Sequence, residues 1–206
     1  MEVALAEGDH ERASFLLSLI SDTHGLLDSA IINVINTAAP HVVLHAGDVG
    51  DKNKKRRLSA VEIVGKLQES TLLKRVFAVA GNVDESSPEL PSYQVVTVGK
   101  IRILILHICG YPPKIPHEVQ QLMDSTLPQI VIFGHSHIPG VQWHNNILFV
   151  NPGSAGPRRF KLPRCMALLR LHFTGIVDLE FIPVGTSPQD TKNLPASTSW
   201  CLNSTS

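Results

Sequence analysis

The stretch Phe15-Leu16-Leu17-Ser18-Leu19-Ile20-Ser21-Asp22-Thr23-His24-Gly25 carries the pattern that organises the whole chain. Its first six residues are apolar but for one serine, too short a run for a helix with a core face, and they read as a buried strand. The run stops at a carboxylate and an imidazole two residues apart, followed by glycine. The arrangement recurs. Residues 42–44 lead into His45-Ala46-Gly47-Asp48, residues 76–80 into Gly81-Asn82-Val83-Asp84, residues 101–106 into His107, and residues 130–133 into Gly134-His135-Ser136-His137. In open α/β sheets, sites form outside the carboxyl ends of the strands, so these side chains are expected to converge.

Further strands are read at 93–98, 147–150, 166–173 and 176–181, with Gly99-Lys100 and Thr174-Gly175 as two-residue hairpin turns. Asp28 is placed to cap a helix whose apolar face is Ile31, Ile32, Val34, Ile35 and Ala38, ended by Pro40. Residues 58–67 set Leu58, Val61, Val64 and Leu67 at three-residue steps, and 117–123 form a shorter third helix. Helices alternating with strands, then a strand-rich half, predict an α/β fold with a mixed sheet system in one domain over 15–185. Residues 1–14 lack a clear period, and 186–206 are rich in Ser, Thr, Pro and Asn. Both ends are expected to be disordered tails, with Trp200 the one residue able to dock.

Eighteen basic residues balance eighteen acidic ones in the 206, so no global field recruits nucleic acid or a membrane. An anionic substrate has to be captured locally. One basic cluster, Lys52, Lys54, Lys55, Arg56 and Arg57, follows Asp48; it reads as an exposed helix start, with attraction of a nucleotide or RNA as the alternative. Cys109, Cys165 and Cys201 form an odd set without a CxxC pair, which suits a reducing compartment. The acidic, polar start is unlike a presequence, and no apolar run approaches the ~20 residues of a membrane span. The expected location is cytoplasmic.

The seven polar side chains Asp22, His24, Asp48, Asn82, His107, His135 and His137 offer oxygen and nitrogen donors without a thiolate. That mixture suits borderline divalent ions such as Mn, Fe, Zn or Ni. Seven donors are too many for one tetrahedral zinc, and a carboxylate shared by two ions is the economical solution. Two ions ~3.5–4 Å apart clamp the attacking and leaving oxygens of an in-line displacement at phosphorus and acidify a bridging water.

Asp22-Thr23-His24, Gly47-Asp48, Gly81-Asn82, His107 and Gly134-His135-Ser136-His137, in this order, resemble the calcineurin-like metallophosphoesterase family. The resemblance runs over about 16–183 and takes in Asn151-Pro152-Gly153-Ser154. It is nearest to the small single-domain bacterial and archaeal phosphodiesterases and to the phosphoesterase-like subunit of the retromer coat. It implies a four-layer αββα sandwich of two mixed β-sheets flanked by helices. It further implies that Asp22, His24, Asp48 and His137 hold one metal and that Asp48, Asn82, His107 and His135 hold the other. Asp48 then bridges, Asn82 touches the substrate phosphate, and Asp48, Asn82 and His107 carry the catalysis. The expected cofactor is a pair of divalent ions, Mn first, with Fe, Zn or Ni as alternatives.

The sequence departs from the family at two places. Val83 stands where many members carry a histidine after the asparagine, so general acid help, typically worth 10²–10⁴-fold, is missing there. Ile108 stands where glycine usually follows the histidine, and is expected to narrow the pocket or shift His107. The resulting expectation is hydrolysis of a phosphodiester small molecule or nucleotide by a metal-bridging hydroxide, slow or selective for good leaving groups. The alternative is a retromer-like scaffold with weak or no chemistry, binding a protein partner. His45 and Asp84 are read as structural. Arg158 and Arg159 are read as solvated loop charges with substrate-anion pairing as the alternative, and the Asn151-Pro152-Gly153-Ser154 turn as scaffold.

Overall fold

The computed structural model describes residues 2–5, 14–51, 57–84 and 87–202. Strand β2 (Ser14–Ile20) shows how the layers arise: alternate side chains leave opposite faces, and both faces are buried. Leu17 and Leu19 join one apolar cluster while Ile20 joins another. β2 pairs in parallel with β3 (Val42–His45), and β3 with β4 (Val76–Ala78). Helices α1 (Ser29–Ala38) and α2 (Ala60–Glu69) make the two crossovers. On its other side β2 runs antiparallel to β10 (Cys165–His172), which continues to β11 (Ile176–Pro183) and β12 (Thr198–Cys201).

The second sheet runs β1 (Glu2–Leu5), β5 (Tyr93–Val98), β6 (Ile101–Leu106), β7 (Ile130–Ile132), β9 (Ile147–Asn151), β8 (Gly140–His144). Helix α3 (His117–Thr126) links β6 to the parallel β7. Between the sheets, Leu17, Leu19 and Leu44 meet Ile103, Ile105 and Ile132. Ile31, Ile35, Ile63 and Leu67 of the two crossover helices cover the outer face of the first sheet, and Val119 and Met123 of α3 cover that of the second. Each fully buried aliphatic side chain contributes about 1.5–3 kcal/mol, against about 1 kcal/mol for a helix cap. The inter-sheet layer therefore dominates stability. This is the four-layer αββα sandwich.

Asp28 caps α1 as expected, accepting from the Ile31 amide. α2 begins at Ala60 because Ser59 and Glu62 close a capping box. The β5–β6 hairpin has the two-residue turn at Gly99-Lys100. The β10–β11 connection is corrected: Leu171 faces Val177, leaving three residues, 173–175, with Gly175 at φ +88°.

The ends also differ from expectation. Glu2–Leu5 adds a parallel strand to β5, while residues 6–13 lie outside the described residues. The C-terminal segment carries α4 (Pro188–Lys192) and β12, and Trp200 packs against the inter-sheet core. Edge strands take their hydrogen bonds from a distant neighbour, so a polar local composition did not reveal them. Among the described residues no helix is long and apolar enough to cross a membrane.

Candidate metal centre

The loops that follow β2, β3, β4, β6 and β7 meet at one edge of the sandwich. Parallel pairing within each sheet puts their carboxyl ends side by side, and backbone hydrogen bonds then lock loop to loop. The Asp22 amide donates to Gly47 O (3.0 Å), the His24 amide to Asp48 O (2.9 Å) and the Gly134 amide to His107 O (3.0 Å). Five of the seven predicted ligands sit in the left-handed region: Asp22 (φ 54°), His24 (46°), Asp48 (51°), His135 (67°) and His137 (60°). Each such residue costs about 1–2 kcal/mol. Strain concentrated this way belongs to functional sites, where sharp turns aim side chains inward.

All seven predicted side chains come together, in two groups. Around the first, His137 Nε2 lies 3.2 Å from Asp22 Oδ1 and 3.2 Å from His24 Nε2, with Asp48 Oδ2 3.7 Å from His24 Nε2. Around the second, Asn82 Oδ1 lies 3.2 Å from His107 Nε2 and 3.1 Å from His135 Nδ1, with Asp48 Oδ1 3.4 Å from His107 Nε2. Asp48 presents one oxygen to each. Donors about 2.0–2.2 Å from one ion stand about 3–3.6 Å apart at octahedral or tetrahedral angles, so both groups have the spacing of a coordination shell. Asp22, His24 and His137, and likewise Asp22, Asp48 and His107, bring ligand atoms within 4.8 Å of one another. Asp22 Oδ1 is buried and has no hydrogen-bond donor. An orphaned carboxylate oxygen at such a depth costs several kcal/mol unless a cation meets it. These residues fit divalent metals.

The electrostatics agree. Burial lowers the pKa of His24 against the pull of Asp48 and Asp22, so its ring offers a lone pair. Burial also opposes charge on Asp48 and His107, but their mutual hydrogen bond wins: His107 is raised above 6.5 and Asp48 is held down to about 2. His107 Nδ1 lies 2.8 Å from Ala46 O; its N–H donates there, which leaves Nε2 to face the second group. In the metal-free chain a proton therefore competes for His107 Nε2 even above pH 6.5. Binding of a divalent ion at pH 7 is expected to release protons, more of them as pH falls toward 6, with affinity falling in parallel. Calorimetry in two buffers of different ionisation heat measures the count. A release that stays at zero across pH 6–8 would contradict this protonation pattern.

The surroundings hold the ligands. Asp84, 2% exposed, accepts from the amides of Val49 (2.8 Å), Gly50 (2.9 Å) and Gly81 (3.0 Å), joining the Asp48 loop to the Asn82 loop. His45 lies 2.9 Å from the Thr23 hydroxyl, which donates to Val49 O. The imidazole must therefore donate from Nε2. Fully buried, its pKa falls to about 3, and the neutral ring props the Asp22–His24 turn. Asn151 donates to Gly134 O and Ser136 Oγ, and Ser154 donates to Asp22 O. The turn thus supports two ligand loops. At Gly81 a Cβ would strike Asp48, and at Gly134 it would strike Ser21 and Asp22. Only glycine lets these backbones come so close.

Asn82 and His135 are exposed while Asp22, His24, Asp48, His107 and His137 are buried, so the centre opens past the first two. Val83 contributes its backbone amide, which donates to Asp48 Oδ1 at 2.9 Å. Ile108 does not displace His107; it turns to solvent, 48% exposed, and lines a groove of about 230 Å³ beside His135. Of the basic cluster, residues 52–56 lie outside the described residues, and Arg57 donates to His24 O. Arg159 is not merely a solvated loop charge: its Nη2 reaches 3.2 Å from His24 Nε2. No local signal separates it from Arg158, because the loop's tertiary path decides which arginine faces inward.

The profile of the calcineurin-like phosphoesterase superfamily domain matches residues 15–173. The chain belongs to this superfamily. A Methanocaldococcus jannaschii relative named a probable metallophosphoesterase is 27% identical over 179 residues, spanning 83% of this chain and 82% of its own. A Mycoplasma genitalium relative of the same name is 31% identical over 150 residues, spanning 71% and 77%. Among solved structures, vacuolar protein sorting 29 from Cryptosporidium parvum superposes with a TM-score of 0.70 at 25% identity, over 92% of this chain and all of that one. Metallophosphoesterases bind divalent metals, and this superfamily member has two candidate ligand clusters, Asp22 with His24 and His137, and Asp22 with Asp48 and His107.

Proposed function

We propose that this chain is a metal-dependent phosphodiesterase. It holds one divalent ion on Asp22, His24, Asp48 and His137 and a second on Asp48, Asn82, His107 and His135, with manganese the first candidate and a cytoplasmic setting. The observation that carries the reading is Asp48, whose two carboxylate oxygens face two separate groups of nitrogen and oxygen donors. When bound, such ions would acidify water and neutralise charge developing at phosphorus.

The chain's own residues do the rest. Asn82 turns its carboxamide oxygen to His107 and His135, which leaves its amide hydrogens to donate to a phosphoryl oxygen at the open side. The Ala46 carbonyl fixes the His107 ring. Ile108, Cys109, Tyr111 and Phe133 give the groove beside His135 apolar walls, suited to the ester group that departs. Val83 cannot protonate that group, so esters with stable leaving groups, aryl above alkyl, are favoured.

Elemental analysis of purified protein, with hydrolysis of an aryl phosphodiester measured in Mn, Fe, Zn and Ni, tests this reading. Two ions per chain with metal-dependent turnover support it; absence of bound metal contradicts it. A second reading rests on Ile108 and Ile138, which are 48% and 53% exposed beside two of the ligands. They suit a protein partner seated over the mouth, in the manner of a scaffold akin to vacuolar protein sorting 29. Two tightly held ions without turnover would favour it.

A further inference from the structure

Three arginines follow one another in the loop between β9 and β10, and among the described residues two of them have carboxylate partners. Arg158 Nη2 pairs with Asp190 Oδ1 at 2.5 Å, and Arg158 Nη1 donates to Leu162 O at 3.0 Å. Arg164 Nη2 pairs with Asp28 Oδ2 at 2.6 Å, its Nε donates to Gly156 O, and its amide donates to Asp190 Oδ1. Asp190 is fully buried, and its other oxygen accepts from the Ser187 amide. It lies in α4, beyond the 15–173 that match the superfamily.

Arg159 stands between these two pinned residues, and no carboxylate of the described residues pairs with it. The loop doubles back immediately after it: the Leu162 amide donates to Arg159 O, and Phe160, 92% exposed, takes φ +52°. A bulky residue at positive φ is uncommon, and here it lies between the two ion-paired arginines. The result is that the Arg159 guanidinium lies 3.2 Å from His24 Nε2, at the rim of the group formed by Asp22, His24 and His137.

A guanidinium held there has no carboxylate partner among the described residues. His24 Nε2 is the nitrogen that the phosphoesterase reading assigns to a metal, so its lone pair is committed once an ion is present. Two cations would then face each other, an arrangement that is stable when an anion lies between them. The planar fork of arginine matches the paired oxygens of a phosphoryl group. We propose that Arg159 is an anion anchor of this centre, donating to a phosphoryl oxygen of the bound ester and of the released phosphate. The proposal rests on the phosphoesterase reading. It also supplies a charge-stabilising donor in a centre where Val83 has none.

The test uses the full chain loaded with manganese and inorganic phosphate as the probe. Elemental analysis gives the metal content, circular dichroism the thermal midpoint, and calorimetry the phosphate affinity. Arg159→Ala is expected to keep both ions and the midpoint while weakening phosphate binding about ten- to a hundredfold, the worth of a charge-assisted hydrogen bond. Arg159→Lys, which keeps the charge and loses the fork, is expected to fall between. Equal phosphate affinity in wild type and Arg159→Ala overturns the anchor and leaves the phosphoesterase reading standing. Phosphate binding that depends on Arg159 without turnover of any ester by the wild type keeps the anchor and overturns the enzyme. Failure of the wild type to take up metal overturns both.

Discussion

Asp48→Asn is expected to lose one of two metals and to cut metal-dependent hydrolysis of an aryl phosphodiester by about a thousandfold or more. Asparagine has the same shape and retains an oxygen that can accept from the Val83 amide, as Asp48 Oδ1 does at 2.9 Å. What it lacks is the second anionic oxygen, and the two oxygens of Asp48 face His24 and His107 respectively. A metal contributes several kcal/mol of transition-state charge stabilisation, and each 1.36 kcal/mol is tenfold in rate. The fold should survive, because the substitution removes one of two carboxylates, Asp48 and Asp22, that crowd the same buried edge. Metal content per chain and steady-state turnover are the two measurements. Wild-type values for both in the variant would refute the bridging role.

Asp84→Ala is the second large effect, and it acts on stability first. The carboxylate is buried and accepts from three backbone amides, Val49, Gly50 and Gly81. Removing it orphans all three donors in a place water does not reach. Each unsatisfied buried group costs about 1–3 kcal/mol, so three orphaned amides put the expected loss at roughly 3–9 kcal/mol, read as a shift in the urea midpoint. Asp84→Asn should be intermediate, since one of its two terminal atoms is a donor facing other donors. Metal affinity should drop as well, because the amides that Asp84 clamps lie next to Asp48 and Asn82 in sequence. A variant with the wild-type midpoint and metal content would show that these amides find water instead.

The convergence of the seven candidate side chains was legible in the sequence because its signal is local. Each of Asp22, Asp48, Asn82, His107 and His135 closes a short apolar run, and a strand can only deliver the residue that follows it to one end of a sheet. Helix α1 was legible for the same kind of reason, Asp28 with Ile31 and Ile35 being a pattern within one turn of chain; in α2 the expected face of Leu58, Val61, Val64 and Leu67 is corrected, since the helix starts at Ala60, buries Ala60, Ile63 and Leu67 and leaves Val61 59% exposed. The strands β1, β8 and β12 were not. β1 and β12 sit at sheet edges and are defined by partners far along the chain, such as Glu2 opposite Val95, while β8 forms a short hairpin with the adjacent β9 and all five of its residues are half-buried, so no alternation of buried and exposed side chains marks it. The hairpin after β10 was misjudged by one residue because register, not composition, sets loop length.

The sequence alone therefore determined the inventory: which oxygen- and nitrogen-bearing side chains follow the strands, in what order, and that strands carry them to one edge. Tertiary structure alone decided their relations. It set the two faces of Asp48 against separate donor groups, used Asp84 and the Asn151 turn to fasten loops from different strands, and turned Ile108 outward so that His107 keeps its place. It also chose Arg159 over Arg158 to face the centre, through a carboxylate 32 positions along the chain from Arg158. Side-chain chemistry is written residue by residue, whereas distances between strand ends exist only after two sheets have packed.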